Sequence, residues 1–126
     1  MSVRFDILTL FPEMIEGMLN QSILKRAIEK KIIEVNIINF RDFSTNKHST
    51  VDDYAYGGGA GMLISVEPIH LAMKTIPNID KAYKILTSPS GNVYNQNKAE
   101  KLSKLDHIVI VCGHYEGIDN RILDYI

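Results

Sequence analysis

Short apolar runs alternate along this chain with stretches of helical period. Residues 5–10, Phe-Asp-Ile-Leu-Thr-Leu, form a compact run closed by Phe11-Pro12, since proline cannot continue a central ladder. Apolar positions then shift to helical spacing at Ile15, Met18 and Leu19, and again at Ile23, Leu24, Ala27 and Ile28, which predicts helix in both places. Residues 33–40 alternate at period two and are rich in β-branched side chains, the pattern of a second strand. Residues 41–61 keep no period and are polar and glycine-rich; so long a loop inside a compact domain is usually functional. Glu67-Pro68 places proline in the first turn of a helix with Ile69, Leu71, Ala72 and Ile76 inward, until Pro77 stops it. A strand is predicted over 83–87, then a helix over 95–105 with Ala99 and Leu102 inward. Residues 107–112 are almost continuously apolar, as a strand covered on both faces should be. Asp119 is suited to cap a last helix over 118–126. This alternation predicts an α/β fold, a largely parallel sheet with flanking helices.

Seven of the eight glycines fall in three segments: 53–62 around Gly57, Gly58, Gly59 and Gly61; 87–91, Thr-Ser-Pro-Ser-Gly; and 112–119 around Gly113 and Gly117. Glycine gathers where backbone must turn sharply or approach a ligand closely. The second and third segments lie just past predicted strands, where open α/β sheets place their ligands, so the two loops are expected to share a pocket. Ser88 to Gly91 suits a type I turn, with Ser first, Pro second and Gly fourth. Alone it reads as a plain connection. The third segment is more specific, because Gly113 and Gly117 bracket His114, Tyr115 and Glu116. A basic ring, an aromatic face and a carboxylate shown from one turn can stack on a base and bind polar ligand groups.

Composition limits the function classes. With 126 residues, 45% hydrophobic and 23% charged, the chain suits one globular domain with a real core. No apolar stretch approaches the roughly 20 residues of a membrane span, and Asp6 interrupts what a signal peptide would need to keep apolar. A single cysteine, Cys112, precludes an internal disulfide. These features predict a cytoplasmic protein. A net charge of −1 gives no global basic field for nucleic acid, so charge is judged locally. Lys25, Arg26, Lys30 and Lys31 read as a solvated helix face, whereas Arg41, Lys47 and His48 sit beside the glycine run and are the better phosphate contacts.

Standard chemistry motifs fail. The glycine run lacks the Gly-Lys-Ser/Thr ending of a P-loop, and Met62 stands where a dinucleotide fingerprint needs glycine. His48, His70, His107 and His114 have no metal-ligand spacing. Cys112 reads as a core residue rather than a nucleophile, and no nucleophile elbow supports a serine triad.

Six motifs in order nonetheless resemble one family: Leu8-Thr9-Leu10-Phe11-Pro12-Glu13-Met14, Arg41-Asp42-Phe43, Thr50-Val51-Asp52-Asp53, Tyr56-Gly57-Gly58-Gly59-Ala60-Gly61-Met62, Ser88-Pro89 with Gly91, and Val111-Cys112-Gly113-His114-Tyr115-Glu116-Gly117-Ile118-Asp119. The whole chain is similar to the N-terminal, cofactor-binding domain of the bacterial tRNA (guanine-N1)-methyltransferases, of the knotted SPOUT class. Ser49 and Asn120 depart from the family pattern, at one RNA contact and one helix start.

The resemblance implies methyl transfer from S-adenosylmethionine to N1 of the guanosine 3′ of the anticodon in tRNA, within a homodimer whose active sites form between subunits. It implies that Leu86, Thr87, Ser88, Pro89 and Gly91, with Gly113, Tyr115, Glu116 and Gly117, hold the cofactor in a trefoil knot. Arg41, His48, Asp53, Tyr56, Gly57, Gly58 and Gly59 would meet tRNA. It places the catalytic base, an aspartate assisted by an arginine, beyond Ile126, with the third cofactor loop, the knot's completion and an RNA-binding domain. Residues 1–126 are therefore expected to be the cofactor-binding domain alone and inactive by themselves. The alternatives are a noncatalytic RNA-binding module and a purely structural interaction domain.

Overall fold

The computed structural model describes residues 2–43, 52–54, 62–64, 66–87 and 93–112. Strands β1 (Val3–Thr9), β2 (Ile33–Asn39), β5 (Tyr83–Leu86) and β6 (His107–Val111) form one sheet in the order β2-β1-β6-β5, with every neighbouring pair parallel. Helices α1 (Pro12–Leu19) and α2 (Ser22–Glu29) join β1 to β2, and α4 (Gln96–Leu102) joins β5 to β6. Helix α3 (Val66–Lys74) follows a separate two-stranded antiparallel ribbon, β3 (Asp52–Tyr54) with β4 (Met62–Ile64). Single 3-10 turns occupy Phe40–Phe43 and Ile79–Lys81. Among the described residues no helix is long and apolar enough to cross a membrane.

Strand alternation explains where the core lies. The register pairs Leu8 with Ile38 and Val111, and Val111 with Leu86, so these side chains share one face of the sheet. Against that face pack Ile69, Ala72, Met73 and Ile76 from α3 and its end, with Phe40 from the turn after β2. Leu8, Phe40, Ile69, Val109 and Val111 are fully buried. On the other face Phe5, Ile7, Val35, Ile37 and Ile110 are only half-buried.

The core-side face, which Leu8 and Val109 share, also carries a polar cluster toward its amino end. Asp6, in β1 and fully buried, accepts hydrogen bonds from Arg4 Nε (2.9 Å) and Nη2 (3.1 Å), from Asn36 Nδ2 of β2 (3.0 Å) and from His107 Nε2 of β6 (2.5 Å). Burial acts to raise the carboxyl's pKa, but the hydrogen bonds from Arg4, Asn36 and His107, with the Arg4 charge, outweigh it and hold the pKa below the usual value. An ionised carboxylate only accepts, so His107 carries a proton on Nε2.

Local chemistry sets the element ends. Pro12 opens α1 at a position where its missing N–H is harmless. Asn95 caps α4, its side chain accepting from the Lys98 amide at 3.0 Å. Helix α2 closes with Lys31 in the left-handed region (φ 60°). The Ile32 amide donates to Ala27 O at 2.9 Å and the Lys31 amide to Ile28 O at 3.0 Å, a Schellman closure with lysine where glycine is usual.

Several expectations are corrected. The stretch 41–61 is not without structure, since it opens in a 3-10 turn and contains β3, which pairs with β4 directly after it. Strands of three residues are too short to show a period. Helix α3 ends at Lys74, before Pro77, and buries Met73 where Leu71 was expected; Leu71 is half-buried. Helix α4 stops at Leu102. Met18 and Ile23 are 53% and 78% exposed despite their spacing, while Ile15, Leu19, Ala27 and Ile28 are half-buried. The helix expected over 118–126 lies outside the described residues.

Candidate functional site

The carboxyl ends of the four parallel strands form one edge, and its order across the sheet is fixed by register. Asn39 of β2 lies opposite Thr9 of β1, Leu8 opposite Val111 of β6, and Val111 opposite Leu86 of β5. Hydrogen bonding continues one residue past these ladders. The Cys112 amide donates to Leu8 O at 2.9 Å, and the Thr87 amide donates to Val111 O at 3.0 Å. Thr87 Oγ1 adds a second bond to the same carbonyl at 3.3 Å. The exits of β1, β6 and β5 are thus laced side by side, and the chain leaves β5 and β6 as immediate neighbours.

Each exit turns by its own device. Buried Thr9 accepts the Phe11 amide on Oγ1 at 3.0 Å, which bends β1 toward Pro12. Asn39 Oδ1 accepts the Arg41 amide at 3.0 Å, an Asx turn that folds the end of β2 into the 3-10 turn over Phe40–Phe43. Arg41 is half-buried on this same edge. Three strand spacings separate the β2 and β5 exits, about 14 Å, a span suited to an elongated ligand. The ribbon pairs Tyr54 with Met62, which brings together the two ends of the glycine-rich segment 55–61.

The structure therefore brings Arg41, Leu86 and Thr87 to one edge of the sheet, with Leu86 packed against the core. Asp53 lies in β3, opposite Leu63, rather than in a loop. Ser88, Pro89, Gly91, Gly113, Tyr115, Glu116 and Gly117 of the candidate cofactor loops lie outside the described residues, as do His48, Tyr56, Gly57, Gly58 and Gly59. Cys112 is half-buried at the end of β6, and burial pushes its thiol pKa up, the opposite of what activates a nucleophile. Among the described residues no group of three or more His, Cys, Asp or Glu could hold a metal ion. The Asp6 cluster was missed by the sequence reading, and only the polar interruption of an apolar strand signalled it.

Comparison with known proteins agrees with this frame. The tRNA (guanine-N(1)-)-methyltransferase of Staphylococcus haemolyticus is 52% identical over 124 residues, 98% of this chain and 51% of that protein. That of Clostridioides difficile is 52% identical over 127 residues, 98% of this chain and 55% of its own. The crystal structure of tRNA (m1G37) methyltransferase from Aquifex aeolicus superposes with a TM-score of 0.90 at 38% identity, covering all of this chain and 57% of that one. The chain spans about half the length of the curated relatives it matches. Residues 3–126 match the family model described as tRNA (Guanine-1)-methyltransferase TrmD, and the chain belongs to that family.

Proposed function

We propose that this chain provides the cofactor-binding half of an enzyme that transfers a methyl group from S-adenosylmethionine to N1 of the guanosine 3′ of the anticodon in tRNA. What supports the reading most is the pairing of β5 with β6. Their exits, Thr87 and Cys112, are held one strand apart by hydrogen bonds to Val111 and Leu8, and each is followed in sequence by a glycine-bearing segment. Backbone groups displayed from adjacent parallel strands suit a ligand lying across the carboxyl edge.

In this reading Leu86, Thr87, Ser88, Pro89 and Gly91 contact the cofactor from one loop, and Gly113, Tyr115, Glu116 and Gly117 from the other. The described part fits: Leu86 gives an apolar wall continuous with the core, while the Thr87 side chain is tied back to Val111. When bound, the sulfonium supplies an activated methyl group. Guanine N1 carries a proton at neutral pH and becomes nucleophilic when a positioned base removes it. In that transfer the N1–C bond would form as the S–C bond breaks, with S-adenosylhomocysteine as the leaving group and the N1 proton passing to the base. Alignment of nucleophile, methyl carbon and sulfur supplies much of the acceleration. Arg41, His48, Asp53, Tyr56, Gly57, Gly58 and Gly59 would face the RNA.

No residue of this chain is assigned as the base. Residues 1–126 alone are accordingly proposed to bind cofactor weakly and to leave RNA unmethylated. Homodimerisation and a cytoplasmic location belong to the same reading. The test is methyl transfer by the complete gene product to paired tRNA transcripts that differ only at the target guanosine. Labelling of the guanosine transcript alone is expected; equal labelling of both, or of neither, refutes the proposal.

A further inference from the structure

Apolar patterning alone leaves the sliding of these strands poorly determined. Strand β6 reads His-Ile-Val-Ile-Val, with Ile108, Val109 and Val111 buried, and its neighbours β1 and β5 are also mostly apolar. Moving β6 by one residue along β1 would exchange valine for isoleucine at most contacts, and moving it by two would keep every side chain on its own face. Hydrophobic burial would barely register either shift. The position along the strands must be set by something that does not tolerate exchange.

Asp6 has that property. Its carboxylate is fully buried, and its two oxygens take four hydrogen bonds from three strands: Arg4 on β1, Asn36 on β2 and His107 on β6. Asn36 sits opposite Asp6 itself, and His107 lies opposite Arg4, one same-face position toward the amino end. A slide of either neighbouring strand removes a donor from a carboxylate with no access to water, which is among the costliest single faults in a protein interior. A buried polar contact that fixes register at some cost in stability is a known use of such groups.

We infer that Asp6 is a positioning residue that fixes the relative slide of β2, β1 and β6, and so sets where the carboxyl-edge exits stand. The link to that edge is short. Two residues after Asp6, Leu8 O accepts the Cys112 amide, and Val111 O beside it accepts Thr87. A slipped β6 would move Cys112 away from Leu8 and displace both loop exits together. This holds whatever ligand the edge binds.

The test is amide hydrogen exchange in the complete protein, comparing Cys112 at the exit with Met73 in α3 as a reference outside the sheet. His107→Leu removes the donor from β6 and leaves Arg4 and Asn36 in place. Cys112 exchange is expected to accelerate at least tenfold relative to Met73. His107→Gln keeps an amide donor and should stay within threefold of the parent, while Asn36→Leu, which frees only β2, should leave the Cys112 to Met73 ratio within the same limit. Should the His107→Leu protein fail to fold, Asp6→Asn gives the same comparison, because it turns one of the two acceptor oxygens into a donor, so that Arg4, Asn36 and His107 can no longer all be satisfied, and the same tenfold rise is expected. Equal acceleration of Cys112 and Met73 would mean that the cluster adds only stability, and would overturn the inference.

Discussion

Lys31 offers a clean test of the backbone geometry. It holds φ at 60° while exposed at the end of α2, and both closing bonds, Ile32 to Ala27 and Lys31 to Ile28, use backbone atoms alone. Lys31→Gly therefore leaves the motif intact and removes only the Cβ conflict, about 1–2 kcal/mol for an L-residue in this conformation. Against that stand the greater freedom of glycine in the unfolded chain, about 0.5–1 kcal/mol, and the loss of a cation near a helix carboxyl end, about 0.3 kcal/mol. The net expectation is a stabilisation of about 0.5 kcal/mol. Urea unfolding should show this as a midpoint raised by about 0.2–0.3 M, and thermal unfolding as a rise of roughly 2 °C. Lys31→Ala keeps the Cβ and should change stability by no more than about 0.5 kcal/mol. Lys31→Val, branched at Cβ, should destabilise. If the glycine variant unfolds at the same or lower urea concentration than the alanine variant, left-handed closure of α2 is refuted.

Three further outcomes follow from local contacts. Gly17 lies within α1, and a Cβ built there meets nothing within 4 Å, so Gly17→Ala should stabilise by about 0.5–1 kcal/mol in the same urea assay. Asn95→Ala removes the cap on Lys98 and should cost about 1 kcal/mol, whereas Asn95→Ser should recover most of it. Asp6 supplies the pH dependence: its folded pKa is lowered, so its stabilisation is complete above the unfolded pKa of about 4 and is lost as pH falls through the folded value. Asp6→Asn should accordingly lower stability by about 3 kcal/mol at pH 7, and the gap between parent and variant urea midpoints should narrow steadily below pH 4; a gap unchanged down to pH 2.5 would contradict the ion pairing.

The sheet was legible because its strands differ from everything around them. Residues 33–40 and 107–112 are rich in β-branched or aliphatic side chains, Pro12 closes the first strand, and Pro68 marks a helix start because its missing N–H is harmless there. Order within the sheet was not legible, since β1 is next to both β2 and β6 and no local pattern records that. The ribbon escaped because three-residue strands carry no period and their pairing, Tyr54 with Met62, is a relation between two segments rather than a property of either. The same reason hid Asp6. Its partners Asn36 and His107 stand 30 and 101 residues away, so a lone aspartate in an apolar strand looked only like an interruption. Once folded, that interruption is held from three strands, and the edge where Arg41, Leu86 and Thr87 gather begins a few residues further along each. Glycine spacing marks the segments that follow the strands, but the placement of their stems depends on a buried polar group within the sheet, two residues before Leu8. A variant of the loops and a variant of Asp6 should therefore differ in kind. The first would alter what the edge binds with the sheet unchanged, and the second would alter where the edge stands with every loop residue still present.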